Sequence, residues 1–297
     1  NTLPYFDQDG VHEIYRRWRT LADSYDGDRA LVAEAWVEDS SRIARYLRPD
    51  ELHQAFNFEY LTAPWEAGRL REVIDSSLAA NGAVGATTTW VLSNHDVTRH
   101  VTRFGGGEQG LRRAHAATLL MLALPGSVYL YQGEELGLPE VTDLPEEALQ
   151  DPTWLRSGGT DRGRDGCRVP LPWERAGASF GFCAEGAQPW LPIPESWGEL
   201  SREAQRGVEG STLELYTRAL HLRRELGAMG DGSMTWLSSP DCVLFFEREP
   251  GVRCAVNLTG ETVELPTPGE VLISSGPVTA DGESLSLPAE TAAWLRF

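Results

Sequence analysis

The sequence predicts an α/β chain with about four parallel strands, which alternate with helices, followed by an all-β antiparallel sandwich. Up to residue 131, short apolar runs alternate with segments of helical periodicity. After residue 227, short segments of alternating polarity are separated by Gly, Pro and Asp turns. Four parallel strands would make up half of a (β/α)₈ barrel, whose usual size is ~250 residues.

The α/β region is predicted to begin with a helix, because Val11, Ile14, Tyr15, Trp18 and Leu21 recur at helical spacing. Strands that alternate with helices at this pitch indicate a parallel sheet. In chain order we predict helix 11–25, strand 29–35, helix 40–46, strand 53–58, helix 64–79, strand 88–92, helix 111–124 and strand 127–131.

Residues 132–209 show no clean periodicity and are rich in Gly, Pro and Trp, as expected of a functional loop or subdomain. A helix over 211–226 follows. Seven short strands are then expected near residues 234, 242, 252, 262, 270, 284 and 291, which is typical of a sandwich of six to seven strands. We therefore predict an α/β domain over 1–229, which includes the long loop 132–209, and a sandwich domain over 230–297.

The composition limits the class of partner. The chain has 297 residues and a formal charge of −18, which disfavours nucleic acid or an anionic membrane surface and suits a neutral substrate. The longest apolar stretch, 116–125, is shorter than the ~18 residues needed to cross a bilayer. Its four cysteines lack CxxC spacing, so buried free thiols are expected rather than a disulfide or metal site. We predict a cytoplasmic protein with no cofactor and no metal.

Glu34 ends the first predicted strand, where the carboxyl ends of parallel strands open into an active site. Its apolar neighbours and Trp36 favour the protonated carboxylic acid, the form that donates a proton to a leaving group. The alternative is a strand-end glutamate that pairs with an arginine.

Three polar residues, Asn94, His95 and Asp96, follow the strand over 88–92. A His-Asp pair two β/α units after Glu34 suggests an acid and a substrate clamp that face one pocket. The alternative is that Asp96 caps a helix beside a hydrogen-bonded His95.

Two further segments could contribute to the pocket. Residues 163–173 carry Arg164 and Arg168, and the alternative for this loop is an anchor made by an Arg164–Asp165 ion pair with Trp173 in the core. Phe56 ends the strand over 53–58, where it could stack on a ring or simply pack.

These segments resemble the α-amylase family of retaining glycoside hydrolases, especially its α-glucosidase and oligo-1,6-glucosidase branch. Residues 163–173 resemble the Arg-Asp-x-x-Arg-Thr-Pro-Met-x-Trp signature of that branch, with Val169 and Leu171 in place of Thr and Met. The resemblance covers essentially the whole chain. It implies that the α/β region is the second half of a TIM-type (β/α)₈ barrel.

The resemblance also implies roles for the residues. Glu34 would be the general acid/base and Asp96 an essential carboxylate in the hydrolysis or transglycosylation of terminal α-linked glucose in maltose and oligosaccharides. The residues expected to bind or frame the sugar are His95, Asn94, Arg168, Arg164 and Phe56. An arginine of the 163–173 loop, Arg168 first and Arg164 second, would close the pocket around the non-reducing end.

In this family the nucleophilic aspartate lies on the barrel strand before the one that carries Glu34. We therefore expect the isolated chain to be inactive, and to pair with the N-terminal barrel half or with itself. The alternatives are a non-catalytic relative and a carbohydrate-binding or structural subunit. Intact Glu34 and Asp96 disfavour the first alternative, and the isolation of Trp236 and Trp294 disfavours a binding platform on the sandwich.

Overall fold

The computed structural model describes residues 4–227, 229–230, 232–267 and 269–297. The α/β region contains α1 (Asp9–Asp23), β1 (Val32–Ala33), α2 (Ser40–Tyr46), β2 (Gln54–Ala55), α3 (Phe58–Leu61), α4 (Ala67–Gly82), β3 (Thr89–Val91), α5 (His100–Arg103), α6 (Gly107–Ala123) and β4 (Ser127–Tyr129). It continues with α7 (Pro152–Arg156), α8 (Arg202–Gln205) and α9 (Thr212–Glu225). The C-terminal region contains β5 (Met234–Trp236), β6 (Val243–Arg248), β7 (Val252–Asn257), β8 (Val263–Leu265), β9 (Glu270–Ser274), β10 (Thr279–Ala280), β11 (Leu285–Leu287) and β12 (Ala292–Arg296).

The first four strands run parallel in chain order. β1 pairs with β2, β3 pairs with β4, and a parallel bridge from Phe56 to Thr89 joins the two pairs. Gln54 on β2 donates to Ser127 Oγ and accepts from the Tyr129 hydroxyl, so side chains of β2 and β4 meet over β3. The carboxyl ends of all four strands therefore point the same way.

The predicted alternation of strands and helices is present, but the strands are shorter than predicted. The strand expected over 29–35 pairs only at Val32 and Ala33. The strand expected over 53–58 ends early because the Asn57 side chain accepts from the Tyr60 backbone N–H and begins α3.

One hydrophobic core joins the two predicted domains. It contains Trp90 of β3, Leu119 of α6 and Phe246 and Trp294 of the C-terminal sheet, and the Trp294 indole donates to the Leu119 carbonyl. The predicted boundary near residue 229 lies between α9 and β5, but Met229 itself is fully buried in this core. The C-terminal region therefore packs on α6 as part of the same structure.

The C-terminal region forms two antiparallel sheets, one in the order β5-β6-β7-β12-β9 and one in the order β10-β11-β8. Phe246 and Cys254 face the α6 side, whereas Phe245 and Ala255 face the second sheet. Because both faces are buried, the first four residues of β6, 243–246, form a continuous apolar run rather than an alternating one. The described strands number eight rather than six to seven, and the prediction missed β10, whose two residues are exposed.

Residues 132–209 hold short 3₁₀ turns and the small helices α7 and α8 around a core of their own. That core is formed by Leu136, Leu138, Val141, Leu144, Val169, Leu171, Leu191 and Trp197. The segment thus has buried apolar packing of its own, and its status as a functional loop or a subdomain stays a prediction.

All four cysteines are free, and Cys167 and Cys254 are buried as predicted, whereas Cys183 and Cys242 are only partly buried. Within the described ranges, no helix combines the length and the apolar character that crossing a bilayer requires.

A buried acid, Glu134, follows β4. Its Oε1 lies 3.5 Å from the Tyr216 hydroxyl of α9, and its Oε2 has no hydrogen-bond partner among the described residues. Burial raises the pKa of Glu134 from its ordinary value of 4.5 to about 8. Between these two pH values the folded protein keeps a proton that the unfolded chain releases.

We expect Glu134→Gln to gain stability relative to the parent as pH rises from 4.5 to 8. In that range the folded parent binds one more proton than the unfolded chain, so its free energy of unfolding falls by up to about 1.4 kcal/mol per pH unit. Urea unfolding at pH 5, 6.5 and 8 measures the difference. Glu147→Gln, an exposed site in the same loop, should follow the parent at every pH. A parent-to-Glu134→Gln difference that is constant with pH would contradict this prediction.

Candidate active site

Glu34, His95 and Asp96 converge at the carboxyl edge of the parallel strands. Glu34 directly follows β1, and His95 and Asp96 follow β3. One carboxylate or imidazole atom from each residue lies within 4.8 Å of the others. Residues that are distant in the sequence thus meet because parallel strands end on one edge.

The site opens from a hollow of about 150 Å³, which is smaller than the ~300–1,000 Å³ typical of pockets for drug-sized ligands. Its lining consists of Glu34, Phe56, Phe58, Val91, Ser93, Asn94, His95, Tyr129, Leu130 and Tyr131. Phe56 lies edge-on to Tyr129, with ring centroids 4.9 Å apart, so it both packs and forms part of the wall. Asp96, Arg164 and Arg168 lie beside this hollow, next to His95, and do not line it.

Asn94 shapes the turn that presents the His-Asp pair. Its Oδ1 accepts from the backbone N–H groups of Asp96 and Val97 at 2.9 and 3.0 Å. The alternative of Asp96 as a helix cap is wrong, because α5 begins only at His100 and the Asp96 carboxylate accepts from side chains instead. The structure places Asn94 as a brace for its neighbours.

Asp96 lies among three cationic or potentially cationic groups. Its Oδ1 accepts from Arg164 Nη1 at 2.7 Å and from Arg168 Nη2 at 3.0 Å, and its Oδ2 lies 3.6 Å from His95 Nε2. Partial burial raises the pKa of Asp96, but the hydrogen bond from Arg164 and the nearby positive charges outweigh it and lower the pKa overall. Asp96 is therefore an anion over the physiological pH range.

The arginine loop is anchored differently from the alternative considered for it. Arg164 pairs with Asp151 and Asp96, whereas Asp165 accepts from backbone N–H groups. Trp173 is 45% exposed rather than part of the core. Arg168 also donates from Nε to the His95 carbonyl at 2.8 Å, so both arginines reach the site.

The environment expected for Glu34 is wrong in one respect, since its side chain is exposed. Within the described residues, β1 has a strand neighbour on one side only, so apolar neighbours in sequence do not enclose the carboxyl group. Trp36 stacks on Phe58, with ring centroids 3.9 Å apart, and remains 38% exposed. The apolar enclosure that the sequence predicted for Glu34 is therefore absent among the described residues.

Glu34, His95 and Asp96 are close enough to share a cation. However, the two guanidinium groups on Asp96 Oδ1 occupy that oxygen and repel positive charge. The absence of a resident metal remains a prediction.

Sequence reasoning missed Arg99, which ties the loops of the site together. Its side chain is buried, donates to the carbonyls of Gln132 and Cys167, and lies over the Tyr131 ring at 5.0 Å. Its backbone N–H donates to Glu140. The sequence around Arg99 contains two similar basic residues nearby, so no local signal distinguishes it.

The comparisons with known proteins point to one family. Residues 2–232 match the alpha-amylase family in its catalytic domain. The chain is 35% identical over 267 residues to a probable alpha-glucosidase of Rhizobium meliloti, a match that covers 86% of the chain and 47% of that relative. It is 28% identical to Maltase A1 of Drosophila melanogaster, over 80% of the chain and 42% of the relative. The chain spans about half the length of these relatives.

Solved structures agree with this assignment. The crystal structure of the alpha-glucosyl transfer enzyme XgtA superimposes with a TM-score of 0.83 at 32% identity, over 97% of this chain and 54% of that one. The trehalulose synthase MutB from Pseudomonas mesoacidophila MX-45 also gives a TM-score of 0.83, over 97% of this chain and 59% of that one. At 20% identity, the second likeness bears on the fold alone.

We expect Arg99→Met to lower the free energy of unfolding by roughly 1–3 kcal/mol, because the Gln132 carbonyl loses its Arg99 donor and the Cys167 carbonyl keeps only the Tyr131 hydroxyl. Urea unfolding at neutral pH measures the loss. Arg206→Met, an exposed arginine on the same chain, should change stability by about 0.5 kcal/mol or less. Equal effects of the two variants would contradict the anchoring role of Arg99.

Proposed function

Because the chain belongs to the alpha-amylase family, we propose that it supplies the acid/base half of a retaining α-glucosidase-type active site. One observation carries the proposal: Glu34, His95 and Asp96 lie within 4.8 Å of one another beside a hollow at the carboxyl edge of the parallel strands. The relatives named alpha-glucosidase and maltase support terminal α-linked glucose of maltose and oligosaccharides as substrate.

In the proposed mechanism, Glu34 protonates the leaving glycosidic oxygen and later takes a proton from water or from an acceptor sugar. The nucleophile that forms the covalent glycosyl-enzyme would come from outside these residues. Exposure of Glu34 at the mouth suits a group that must meet both the leaving group and the acceptor.

Asp96 and His95 would bind adjacent sugar hydroxyls. Among the described contacts, Asp96 Oδ2 faces only His95, so it remains open to accept sugar O–H groups. Such charge-assisted hydrogen bonds strengthen as the ring becomes oxocarbenium-like. Arg168 and Arg164, which hold the other oxygen, would close the pocket at the non-reducing end, with Phe56 as an apolar wall.

In the proposed architecture, residues 1–229, which include the subdomain 132–209, are the second half of a (β/α)₈ barrel and residues 230–297 are a C-terminal sandwich. The parallel order β1 to β4 and the contact of Gln54 with Tyr129 across β3 support the barrel. The two packed antiparallel sheets support the sandwich. Free cysteines suit a cytoplasmic location.

The partner proposed for this chain is the N-terminal barrel half or a second copy of the chain. α1 and the turn after it expose Trp18, Leu21 and Tyr25 at 53–59% of their surface, and with Leu31 just before β1 they line an apolar groove. Leu130, just after β4, is also exposed at 38%. Apolar surface that is exposed at both edges of the parallel strands supports a partner that covers these edges.

The alternatives fit less well. A binding platform on the C-terminal sheets lacks its two tryptophans, because Trp294 is buried and Trp236 donates to Asp75 under the Arg71 guanidinium. A non-catalytic relative would not require an acid, a histidine and a carboxylate to converge. Titration with maltose separates these cases, since a binding module should bind the sugar with the isolated chain.

Hydrolysis of p-nitrophenyl α-glucoside tests the function directly. We expect no turnover by the 297-residue chain, and turnover once the coding sequence upstream of residue 1 is included. In that longer protein, Glu34→Gln should lower kcat by about 10²–10⁴-fold, whereas Glu38→Gln, exposed in the same loop, should leave it unchanged. Turnover by the isolated chain would disprove its proposed inactivity, and full activity of Glu34→Gln would disprove the role of Glu34.

Light scattering tests whether the chain self-associates through the exposed edges of its parallel strands. We expect the isolated chain to show a mass that increases with concentration, and Leu21→Glu to reduce that increase by placing charge in the apolar groove. Leu155→Glu, at an 83% exposed position on α7, is the control and should behave like the parent. A parent chain that stays monomeric at all concentrations would count against self-association.

A further inference from the structure

We propose that Asp151, just before α7, is a positioning residue that holds Arg164 against Asp96. The Asp151 side chain is 1% exposed, and its Oδ2 accepts from Arg164 Nε at 2.6 Å and from the Arg164 backbone N–H at 3.0 Å. The same guanidinium reaches Asp96 Oδ1 from Nη1 at 2.7 Å. One arginine thus bridges a buried carboxylate and the carboxylate of the site.

Asp151 is fixed independently of Asp96, because two loop segments cap each other. Asp165 Oδ2 accepts from the backbone N–H groups of Gln150 and Asp151 at 2.6 and 2.8 Å. In return, Asp151 accepts from the backbone of Arg164, as above, and from the backbone of Thr153 at 3.0 Å. These reciprocal bonds place the Asp151 carboxylate before any sugar arrives.

The loop also closes tightly over Asp151. Gly163 has φ +67°, and a Cβ added there would lie 2.7 Å from Asp151 Cγ. Only glycine tolerates both that backbone conformation and that approach. The glycine thus lets Arg164 start directly beside the carboxylate to which it binds.

The arrangement separates anchoring from recognition. Arg164 is 41% exposed, so fixing its side chain costs conformational entropy. A contact with Asp96 alone would have to offset that cost. Asp151 supplies a second, buried attachment, while Arg168 Nη1 lies 4.0 Å from Asp151 and relies mainly on Asp96 and the His95 carbonyl. This inference rests on the proposed function where it treats Asp96 as a residue that binds sugar. The contacts of Arg164 with Asp151 and Asp96 do not depend on that function.

Carbon-13 NMR titration of the Asp96 carboxyl group in the 297-residue chain tests the inference. The groups that face this carboxyl are His95, Arg164 and Arg168. We expect Asp151→Asn to raise the pKa of Asp96 by about one unit, because Arg164 leaves it. If Asp151 acted only through its charge, its removal would lower that pKa. A lowered or unchanged pKa of Asp96 would overturn the inference.

Asp151→Glu gives a second test that keeps the charge and displaces the acceptor by one methylene. We again expect a higher pKa of Asp96, and no change would overturn the inference. Circular dichroism checks that each variant folds, and the Glu variant carries the test if the Asn variant does not fold. Asp143→Asn, an exposed aspartate of the same 132–209 segment, is the control and should leave the pKa of Asp96 unchanged.

A double-mutant cycle with Arg164→Gln isolates the path through the arginine. We expect Arg164→Gln to raise the pKa of Asp96, and addition of Asp151→Asn to raise it no further. A further rise would show that Asp151 acts by another route. The titration needs no substrate, so a failure of the proposed glucosidase activity and a failure of this inference are separate results.

Discussion

The parallel pairing of β1 to β4 is the constraint on which the candidate site depends. Parallel strands end at a common edge, so Glu34 and His95 meet within 4.8 Å although about sixty residues separate them in the sequence. A slip of one residue in a strand would turn each of its side chains to the opposite face. The core formed by α6 and the C-terminal sheet packs against Trp90 of β3 and Val128 of β4, whereas Ala33 of β1 and Ala55 of β2 pack in a separate cluster.

Asp96 belongs to a cluster that holds equal numbers of positive and negative side chains. Asp96 and Asp151 are two carboxylates, and Arg164 and Arg168 are two guanidinium groups that contact them. Their formal charges cancel, so the cluster can be assembled in a partly buried place before a neutral sugar binds. Groups that are already oriented cost little reorganisation when charge develops on the substrate.

The sequence allowed prediction of what depends on local pattern. Glu34, His95 and Asp96 were found because polar residues that follow apolar strands are visible as such. Arg99 and Asp151 were missed because their roles lie in contacts 13 to 68 residues away in the sequence, set by how loops pack. Strand lengths were overestimated for the same reason, since a strand ends where its partner or a cap such as Asn57 ends it.

The exposed Glu34 and the exposed apolar face of α1 are connected through the segment that leads into β1. The groove that contains Trp18 and Leu21 is completed by residues 29–31, which lead directly into β1 and Glu34. In the proposed mechanism Glu34 donates a proton, which a partly desolvated carboxyl group favours, and among the described residues β1 has a neighbouring strand on one side only. An occupant that packed on the groove would therefore bury apolar surface and enclose Glu34 in the same step. Under the proposed function, the stability of such an assembly and the role of Glu34 as proton donor would be linked through the open edge of β1.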